Sequence, residues 1–314
     1  MSELISHSRP RIALIGECMI ELQQHASGSL QQSFGGDTLN TAVYMARMLG
    51  SAAQVDYVTA LGDDSFSDAM CRQWQQEGIG LRQVQRLPGR LPGLYCIQTD
   101  TSGERRFLYW RNEAAVRDCF TSAQGEGVLA ALADYDLLYI SGITLAVLGE
   151  VGRQRLFASL AQVRARGVRV AFDNNYRPRL WDSVEQARKV YRECLAHVDV
   201  ALLTEEDEQA LFAYTDSEQL LSVYRDMGIT EVVVKRGAQS CLVESAGERH
   251  EIAACVVGRV IDSTAAGDSF SAAYLAVRLR GGSPILAAEA GHRLASVVIQ
   301  HPGALILRSA MPAM

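Results

Sequence analysis

The sequence predicts an α/β fold built on a mostly parallel β-sheet whose two faces are covered by helices. Short β-rich segments alternate along the chain with helical segments, as expected when parallel strands are joined by crossover helices. Several β-rich segments are continuous apolar runs, which is typical of strands buried on both faces. With 314 residues, 48% of them hydrophobic and 21% charged, the chain is suited to one large folded domain.

The elements follow from these segments and from the turn and cap residues between them. We predict strands at residues 11–16, 55–61, 136–140, 169–173, 198–203 and 231–235. We predict helices at residues 38–49, 64–77, 152–166, 183–196, 217–228 and 268–280. A glycine, the residue that most often ends a helix, follows most of them, as at Gly50 and Gly167. Ser283 and Pro284 then supply the cap and the first position of another helix.

One segment interrupts the alternation and predicts an antiparallel hairpin. Strand-like residues 94–99 and 105–111 flank a turn rich in Asp, Ser and Gly. Because consecutive side chains of a strand alternate between faces, Phe107, Tyr109 and Arg111 share one face. Tyr95 lies opposite Tyr109 if the turn centres near Ser102. This hairpin is either an ordinary edge hairpin on a core or a flap over a site.

Composition and charge argue against several classes of protein. A net charge of −6 disfavours a nucleic-acid partner. The chain has no apolar run of about 18 residues and no signal-peptide core near its start, so we expect a cytoplasmic protein without a membrane partner. The seven cysteines form no CxxC pair and the six histidines no HxxxH pair, which favours reduced thiols and no histidine-based metal site.

The segment from Asp262 to Asp268, DSTAAGD, carries the most chemical information. It precedes an alanine-rich helix, whose first amides have no intrahelical acceptor and lie at the positive end of the helix dipole. Small residues let a phosphate approach such amides closely. A carboxylate here would repel the phosphate unless Asp268 faces the attacking hydroxyl and takes its proton. The motif therefore favours a kinase.

Three other segments are candidate binding sites. Gly35-Gly36 precedes a helix in which Asp37 is a candidate N-cap and Asn40 lies one turn further on. Lys235-Arg236-Gly237 follows a buried strand, and Arg177 lies in the loop after another, where it could clamp a carboxylate or phosphate. Taken singly, each is also compatible with a simple turn or with solvated charges. The chain lacks a P-loop, a dinucleotide-binding glycine motif after the first strand and a hydrolase G-x-S-x-G.

Together, these segments resemble the two signature regions of the ribokinase-like (PfkB) carbohydrate kinases. The C-terminal signature of that family is D-[ST]-x-G-A-G-D, and Ala265 stands here at its first glycine. The runs 109–113 (YWRNE) and 175–179 (NYRPR) resemble one branch of the family, which acts on 2-dehydro-3-deoxygluconate. The similarity extends over essentially the whole chain.

The resemblance implies a ribokinase-like three-layer core over residues 1–314, with a small β lid contributed by about 16–34 and 88–113. It implies phosphorylation of 2-dehydro-3-deoxy-D-gluconate at its 6-hydroxyl, with ATP and Mg2+. It also implies that the protein forms a homo-oligomer through the lid.

Individual roles follow from the resemblance by position. Asp268 is the implied general base, and the amides of Ala265, Ala266 and Gly267 form the implied anion hole. The residues around the sugar acid would be Gly35, Gly36, Asp37, Asn40, Tyr95, Tyr109, Arg111, Arg177 and Asp268. The residues along the nucleotide would be Asn175, Lys235, Arg236, Gly237 and Ser240, together with the anion hole.

Two departures from the family pattern carry expectations of their own. Where many relatives have an N-x-x-E motif linked to magnesium, this chain has residues 204–208 (TEEDE), and Asp207 or Glu208 could serve the metal through water. Ala265 in place of glycine is expected to be tolerable only if its φ is negative.

Two alternatives remain at this point. A fructokinase-like enzyme would phosphorylate a neutral sugar, but arginines at 111 and 177 favour an acid substrate. A regulator on the same fold would bind sugar or nucleotide without catalysis, but binding alone does not need Asp268.

Overall fold

A computed structural model describes residues 9–24, 28–99, 105–214 and 216–313. Its strands are β1 (Arg11–Ile15), β2 (Met19–Gln24), β3 (Leu30–Gly35), β4 (Gln54–Leu61), β5 (Gly80–Arg86), β6 (Leu94–Thr99), β7 (Arg105–Trp110), β8 (Leu137–Ser141), β9 (Arg169–Asp173), β10 (Val200–Thr204), β11 (Glu231–Lys235), β12 (Cys241–Ser245) and β13 (Glu248–Ile252). Its α-helices are α1 (Asp37–Leu49), α2 (Ser65–Gln76), α3 (Gly125–Ala131), α4 (Gly142–Val147), α5 (Gly149–Arg164), α6 (Val184–Leu195), α7 (Glu205–Phe212), α8 (Ser217–Asp226), α9 (Ala266–Leu279) and α10 (Pro284–Val298).

The larger sheet has the strand order β13-β12-β11-β10-β9-β8-β1-β4-β5. The seven strands from β11 to β5 pair in parallel, and the hairpin β12–β13 adds an antiparallel edge. On one side of β1 the strands follow in the order β4, β5, and on the other side in the order β8, β9, β10, β11, so successive strands of the chain move away from β1 in both directions. The sheet therefore has a topological switch point between β1 and β8, where open α/β sheets usually bind ligands.

Two apolar clusters cover the two faces of this sheet. Along β1, Ile12 and Leu14 face one cluster, whereas Ala13 and Ile15 face the other. Helices α1, α2, α9 and α10 pack in the first cluster, and α3 to α8 pack in the second. Burial on both faces explains why the predicted strands read as continuous apolar runs. The predicted three-layer fold is confirmed.

The element boundaries agree closely with the prediction, with two informative differences. Strands β9 and β11 have the predicted bounds, and Ser283 caps α10 by accepting a hydrogen bond from the amide of Leu286. The N-cap of α1 is Gly36 rather than Asp37, which is the first helical residue. Strand β5 (GLRQVQR) was not predicted, because a polar sequence at the end of a sheet has no apolar run.

The smaller sheet has the order β3-β2-β6-β7. Strands β6 and β7 form the predicted hairpin, and Tyr95 lies opposite Tyr109 as predicted. The turn around Ser102, at residues 100–104, lies outside the described residues. Strand β2 follows β1 directly, so the smaller sheet is joined to the centre of the larger one. None of the helices in the described ranges is long and apolar enough to cross a membrane.

Candidate active site

A cavity of about 470 Å³ lies between the two sheets, at the carboxyl ends of the parallel strands. Asp173 at the end of β9 and Lys235 at the end of β11 line its floor. The starts of α1 and α9 line its sides, and Tyr95 and Tyr109 of the smaller sheet face it from above. The fold thus brings together polar groups that are far apart in the sequence.

The start of α9 offers free backbone donors to this cavity. Ala266 donates its amide to the carbonyl of Ser263 (3.2 Å). Within the described part of the chain, the amides of Gly267 and Asp268 donate to no acceptor. Asp262 holds the preceding loop, because its carboxylate accepts from the amides of Thr264 (3.0 Å) and Gly303 (3.0 Å). The helix start can therefore receive an anion mainly through two adjacent amides.

Ala265 adopts a left-handed conformation at the N-cap of α9, with φ of 60° and ψ of 16°. The expectation of a negative φ was wrong. This turn directs the amides that follow toward the cavity, and the glycine of the family signature would reach the same conformation without strain. The alanine therefore carries backbone strain at the edge of the site.

Asp268 lies in the first turn of α9, and its carboxylate accepts a hydrogen bond from the side-chain amide of Asn40 (2.8 Å). Burial and the nearby carboxylate of Asp37 raise the pKa of Asp268, although the Asn40 hydrogen bond acts against them. A raised pKa makes the carboxylate a better proton acceptor than an ordinary aspartate. Asn40 also fixes the direction in which this acceptor faces.

Asn40 has a second feature that suits a polar ligand. Its Oδ1 atom is buried and has no hydrogen-bond partner among the residues that the structure describes, although the residue lines the cavity. A buried acceptor without a partner is costly, and a ligand hydroxyl would satisfy it. Asn175 and Asp37 also line the cavity, and the side-chain amide of Asn175 donates to the Asp37 carboxylate (2.7 Å).

Lys235 and Asp173 form a buried ion pair under the start of α9. The ammonium lies 2.7 Å from the Asp173 carboxylate and 3.3 Å from the hydroxyl of Ser271. A Cβ atom placed on Gly267 would lie 3.5 Å from the same ammonium, so Lys235 lies close to the free amides. This cation adds positive charge where the helix start is already positive.

The opposite end of the cavity is aromatic. The rings of Tyr95 and Tyr109 lie 5.8 Å apart, and Phe107 stacks on Tyr109. The hydroxyl of Tyr95 donates to the carboxylate of Glu21 in the neighbouring strand, which fixes the ring. Gly35 lies beneath it, since a Cβ atom there would approach the Tyr95 hydroxyl to 2.6 Å.

The two predicted arginines have different surroundings. Arg177 lines the cavity, is half exposed, and makes a loose pair with Asp207 (3.4 Å). Arg111 does not line this cavity: its guanidinium forms a buried ion pair with Glu17 in the connection between β1 and β2. Strand β7 ends at Trp110, but the Arg111 guanidinium still lies 5.9 Å from the centre of the Tyr109 ring, so Arg111 lies beside Tyr109 as expected.

The remaining predicted nucleotide residues lie in the turn between β11 and β12. Arg236 donates to the carbonyl of Ser240 (2.7 Å) and pairs with Glu251 (2.5 Å). Gly237 has a φ of 61°, which the turn requires. Arg236, Gly237 and Ser240 therefore border the site next to Lys235 without lining the cavity.

The two carboxylates named for magnesium also differ. Asp207 lines the cavity, whereas Glu208 is fully buried and accepts from the side chain of Asn174 (3.1 Å). Burial raises the pKa of Glu208 to about 7, which disfavours a charged ligand for a cation. The described residues contain no group of three or more side chains suited to hold a metal ion. A magnesium ion bound mainly through phosphates and water needs only one or two carboxylates, which Asp207 fits.

The residues of this region that were not predicted as site residues include two ion-pair partners. Asp173 is the ion-pair partner of Lys235, and Glu17 is the partner of Arg111. The signal for Asp173 was present, because an acidic residue that ends a buried strand lies at the functional edge of a parallel sheet. No comparable pattern marks Glu17.

The fold and the cavity define an α/β protein with free backbone amides beside a buried carboxylate. The sequence profile of the pfkB family carbohydrate kinases matches residues 9–310, and the chain belongs to this family. It is 52% identical to a 2-dehydro-3-deoxygluconokinase of Escherichia coli strain K12, over 96% of this chain and 99% of that protein. Identity to the 2-dehydro-3-deoxygluconokinase of Dickeya dadantii is 51%, over 96% and 98%.

More distant proteins share the fold. A fructokinase of Escherichia coli is 26% identical, over 84% of this chain and 83% of that protein. A solved structure of a candidate ribokinase II from E. coli, in complex with ATP and Mg2+, superposes with a TM-score of 0.80 at 23% identity and covers 94% of each chain.

Proposed function

We propose that the protein is a sugar-acid kinase that transfers the γ-phosphoryl group of ATP to the 6-hydroxyl of 2-dehydro-3-deoxy-D-gluconate. The observation that carries the proposal is the placement of the Asp268 carboxylate directly beside the free amides of Gly267 and Asp268. The 52% identity to a 2-dehydro-3-deoxygluconokinase supports the choice of substrate, since fructokinases are far less similar.

In the proposed reaction, the oxygen of the 6-hydroxyl attacks the γ-phosphorus. A bond forms between this oxygen and phosphorus, the bond from phosphorus to the departing ADP oxygen breaks, and the hydroxyl proton passes to Asp268. The raised pKa of Asp268 favours this transfer as the new bond develops. Asn40 keeps the acceptor oriented throughout.

Charge on the transferring group is met by fixed donors. In the proposed reaction, the amides at the start of α9 and the nearby ammonium of Lys235 would stabilise the negative charge that develops on the phosphoryl oxygens. Since Asp173 and Ser271 hold Lys235 in place, little reorganisation is needed during transfer. Asp207 is the carboxylate that would hold a magnesium ion through water, and this ion would supply further charge neutralisation on the phosphates.

The substrate carboxylate calls for a cation at the other end of the cavity. Arg177 is suited to this role because it lines the cavity and its pairing with Asp207 is loose and exposed. We assign the carboxylate first to Arg177. Arg111 would join only after its ion pair with Glu17 opens, which is costly for a buried pair.

We also propose that the protein is a homo-oligomer formed through the outer face of the smaller sheet, which would then act as a lid. Residues directly opposite each other in neighbouring strands share a face. The face turned away from Tyr95 carries Leu94, which packs against the core, then Cys96, Leu108 and the 59% exposed Trp110, and beyond them the polar pair Gln98 and Arg106. An apolar sheet face of this kind is usually covered by a partner.

A coupled assay of ADP release tests the proposed substrate. We expect turnover of 2-dehydro-3-deoxy-D-gluconate to exceed that of gluconate, fructose and ribose, and faster turnover of fructose or ribose would refute the proposal. Arg177→Met should raise KM for the sugar acid by about tenfold or more, because a charged hydrogen bond is lost, and leave KM for ATP unchanged. Arg179→Met, which removes an arginine two residues away that does not line the cavity, is the matched control.

A further inference from the structure

A second, larger cavity of about 680 Å³ lies beside the candidate active site. Helix α4 separates the two, since Ile143 lines the first cavity and Ala146 and Val147 line the second. The far wall comes from α5 and α6 and from the segment around Trp181. None of the residues assigned above to phosphoryl transfer lines this second cavity.

Arg153 is a buried cation in its wall. The residue is only 8% exposed, and it forms no ion pair within the described part of the chain. Its guanidinium donates to the carbonyl of Leu145 (3.0 Å) and lies 5.6 Å from the ring of Trp181. Burial lowers the pKa of Arg153, which reflects the cost of keeping this charge out of water.

Other donors of the cavity also lack acceptors. The Nε atom of Arg111 and the indole Nε1 of Trp181 are buried, and neither has a hydrogen-bond partner in the described ranges. Arg117 and Arg179 line the same cavity and form no ion pair with the described residues. Buried donors without acceptors are rare in folded proteins and usually indicate a missing partner.

The acidic residues of the cavity do not neutralise this set. Glu150, Asp182 and Glu193 also line it, and Glu193 lies 4.0 Å from Lys189 on the exposed part of α6. Arg111 is already paired with Glu17, so Arg117, Arg153 and Arg179 remain against Glu150 and Asp182. Of these three cations Arg153 is buried, Arg117 is partly buried and Arg179 is exposed, so the cost of an unpaired charge is greatest at Arg153.

We propose that this cavity is a second binding site, separate from the candidate active site, for a small anion that carries phosphate or carboxylate groups. Arg153 and Arg117 would bind the anionic group in the two-pronged geometry that guanidinium favours, and the indole of Trp181 would donate a further hydrogen bond. The cavity is large enough for a phosphorylated or polycarboxylic metabolite.

Tryptophan fluorescence tests the proposal. The chain has three tryptophans, of which Trp74 is buried in the core and Trp110 is exposed in the smaller sheet. In a Trp110→Phe background, signal changes therefore report on Trp181. We expect a saturable change on titration with inorganic phosphate at constant ionic strength, and parallel titrations with glycerol 3-phosphate and citrate distinguish free phosphate, a phosphate ester and a polycarboxylate.

Variants locate the binding site. Arg153→Met should weaken binding by about tenfold or more, since it removes a charge-assisted hydrogen bond. Arg166→Met removes an exposed arginine just beyond α5 and should leave binding unchanged. Arg153 also donates a hydrogen bond to the carbonyl of Leu145, so Arg153→Met could destabilise the fold. Arg117→Gln is therefore a second test, with the same expected loss of affinity. Lys235→Met alters only the candidate active site and should leave the Trp181 signal intact.

The proposal is overturned if none of the three anions gives a saturable signal. It is also overturned if Arg117→Gln and a folded Arg153→Met bind like Arg166→Met, or if Lys235→Met abolishes the Trp181 response. These outcomes do not depend on the identity of the kinase substrate.

Discussion

At the scale of single residues, the environment of Asp268 determines how the protein should respond to pH. Burial and Asp37 raise its pKa, so the carboxyl group is protonated at pH values where an ordinary aspartate, with a pKa of about 3.9, is charged. A protonated Asp268 cannot accept the substrate proton. We therefore expect kcat/KM to fall about tenfold per pH unit below this raised pKa, with the acidic limb well above pH 4.

Steady-state assays across pH measure this limb, and Asp268→Asn should lower kcat by about 10²–10⁴-fold and abolish the limb. Asp226→Asn, at an exposed position at the end of α8, is the control and should retain the wild-type profile. Near-wild-type turnover by Asp268→Asn would show that another group accepts the proton.

Ala265 gives a second prediction at this scale. Holding an L-residue at a φ of 60° destabilises the folded state by about 1–2 kcal/mol. Glycine avoids this strain, but its more flexible unfolded chain lowers the free energy of unfolding by about 0.5–1 kcal/mol. Ala265→Gly should therefore raise the free energy of unfolding by about 0.5–1 kcal/mol, measured by chemical denaturation. Ala266→Gly, at the first helical position of α9, should lower it instead. Equal destabilisation by both substitutions would contradict the strain assigned to Ala265.

At the scale of elements, Gly36 sets the position of α1 relative to the connection between β1 and β2. A Cβ atom on Gly36 would lie 2.2 Å from the carbonyl oxygen of Glu17, so any side chain must push the helix away. Helix α1 carries Asn40, which orients Asp268.

Gly36→Ala should lower kcat/KM by about 10²-fold, because displacement of catalytic groups by about 1 Å has effects of this size. The same substitution should destabilise the fold by about 1–3 kcal/mol through overpacking. Gly127→Ala, within α3 and with open space around the added Cβ, serves as the control and should be neutral or stabilising. Full activity in Gly36→Ala would contradict the tight approach.

The elements also explain how much could be predicted from the sequence. The strands β9 and β11 were found because burial on both faces leaves an apolar run, and the register of Tyr95 with Tyr109 follows from the length of the hairpin. Strand β5 was missed because its sequence is polar. The spacing of apolar residues indicates buried strands, but it does not reveal a polar strand at the edge of a sheet.

The candidate site was predictable where residues lie close in sequence, as from 262 to 268. The position of a site residue was harder to predict where its neighbours come from distant parts of the sequence. The pairing of Arg111 with Glu17 spans two segments, and nothing local indicates it. The left-handed conformation of Ala265 likewise depends on its loop, which the hydrogen bonds of Asp262 hold in place, and not on the residue type.

At the scale of the whole molecule, the proposed oligomer predicts a change of mass. Trp110→Glu places a charge on the outer apolar face of the smaller sheet, where burial against a second copy would leave the carboxylate without a partner. We expect sedimentation velocity to show an oligomer for the wild type and a smaller species for this variant. Leu307→Glu, at a 76% exposed position outside the smaller sheet, should leave the mass unchanged. A charge on an uncovered surface costs little, so Trp110→Glu should lower the mass only if a second copy covers Trp110. A monomeric wild type would contradict the proposed oligomer. An oligomer that survives Trp110→Glu and dissociates with Leu307→Glu would place the interface at another surface.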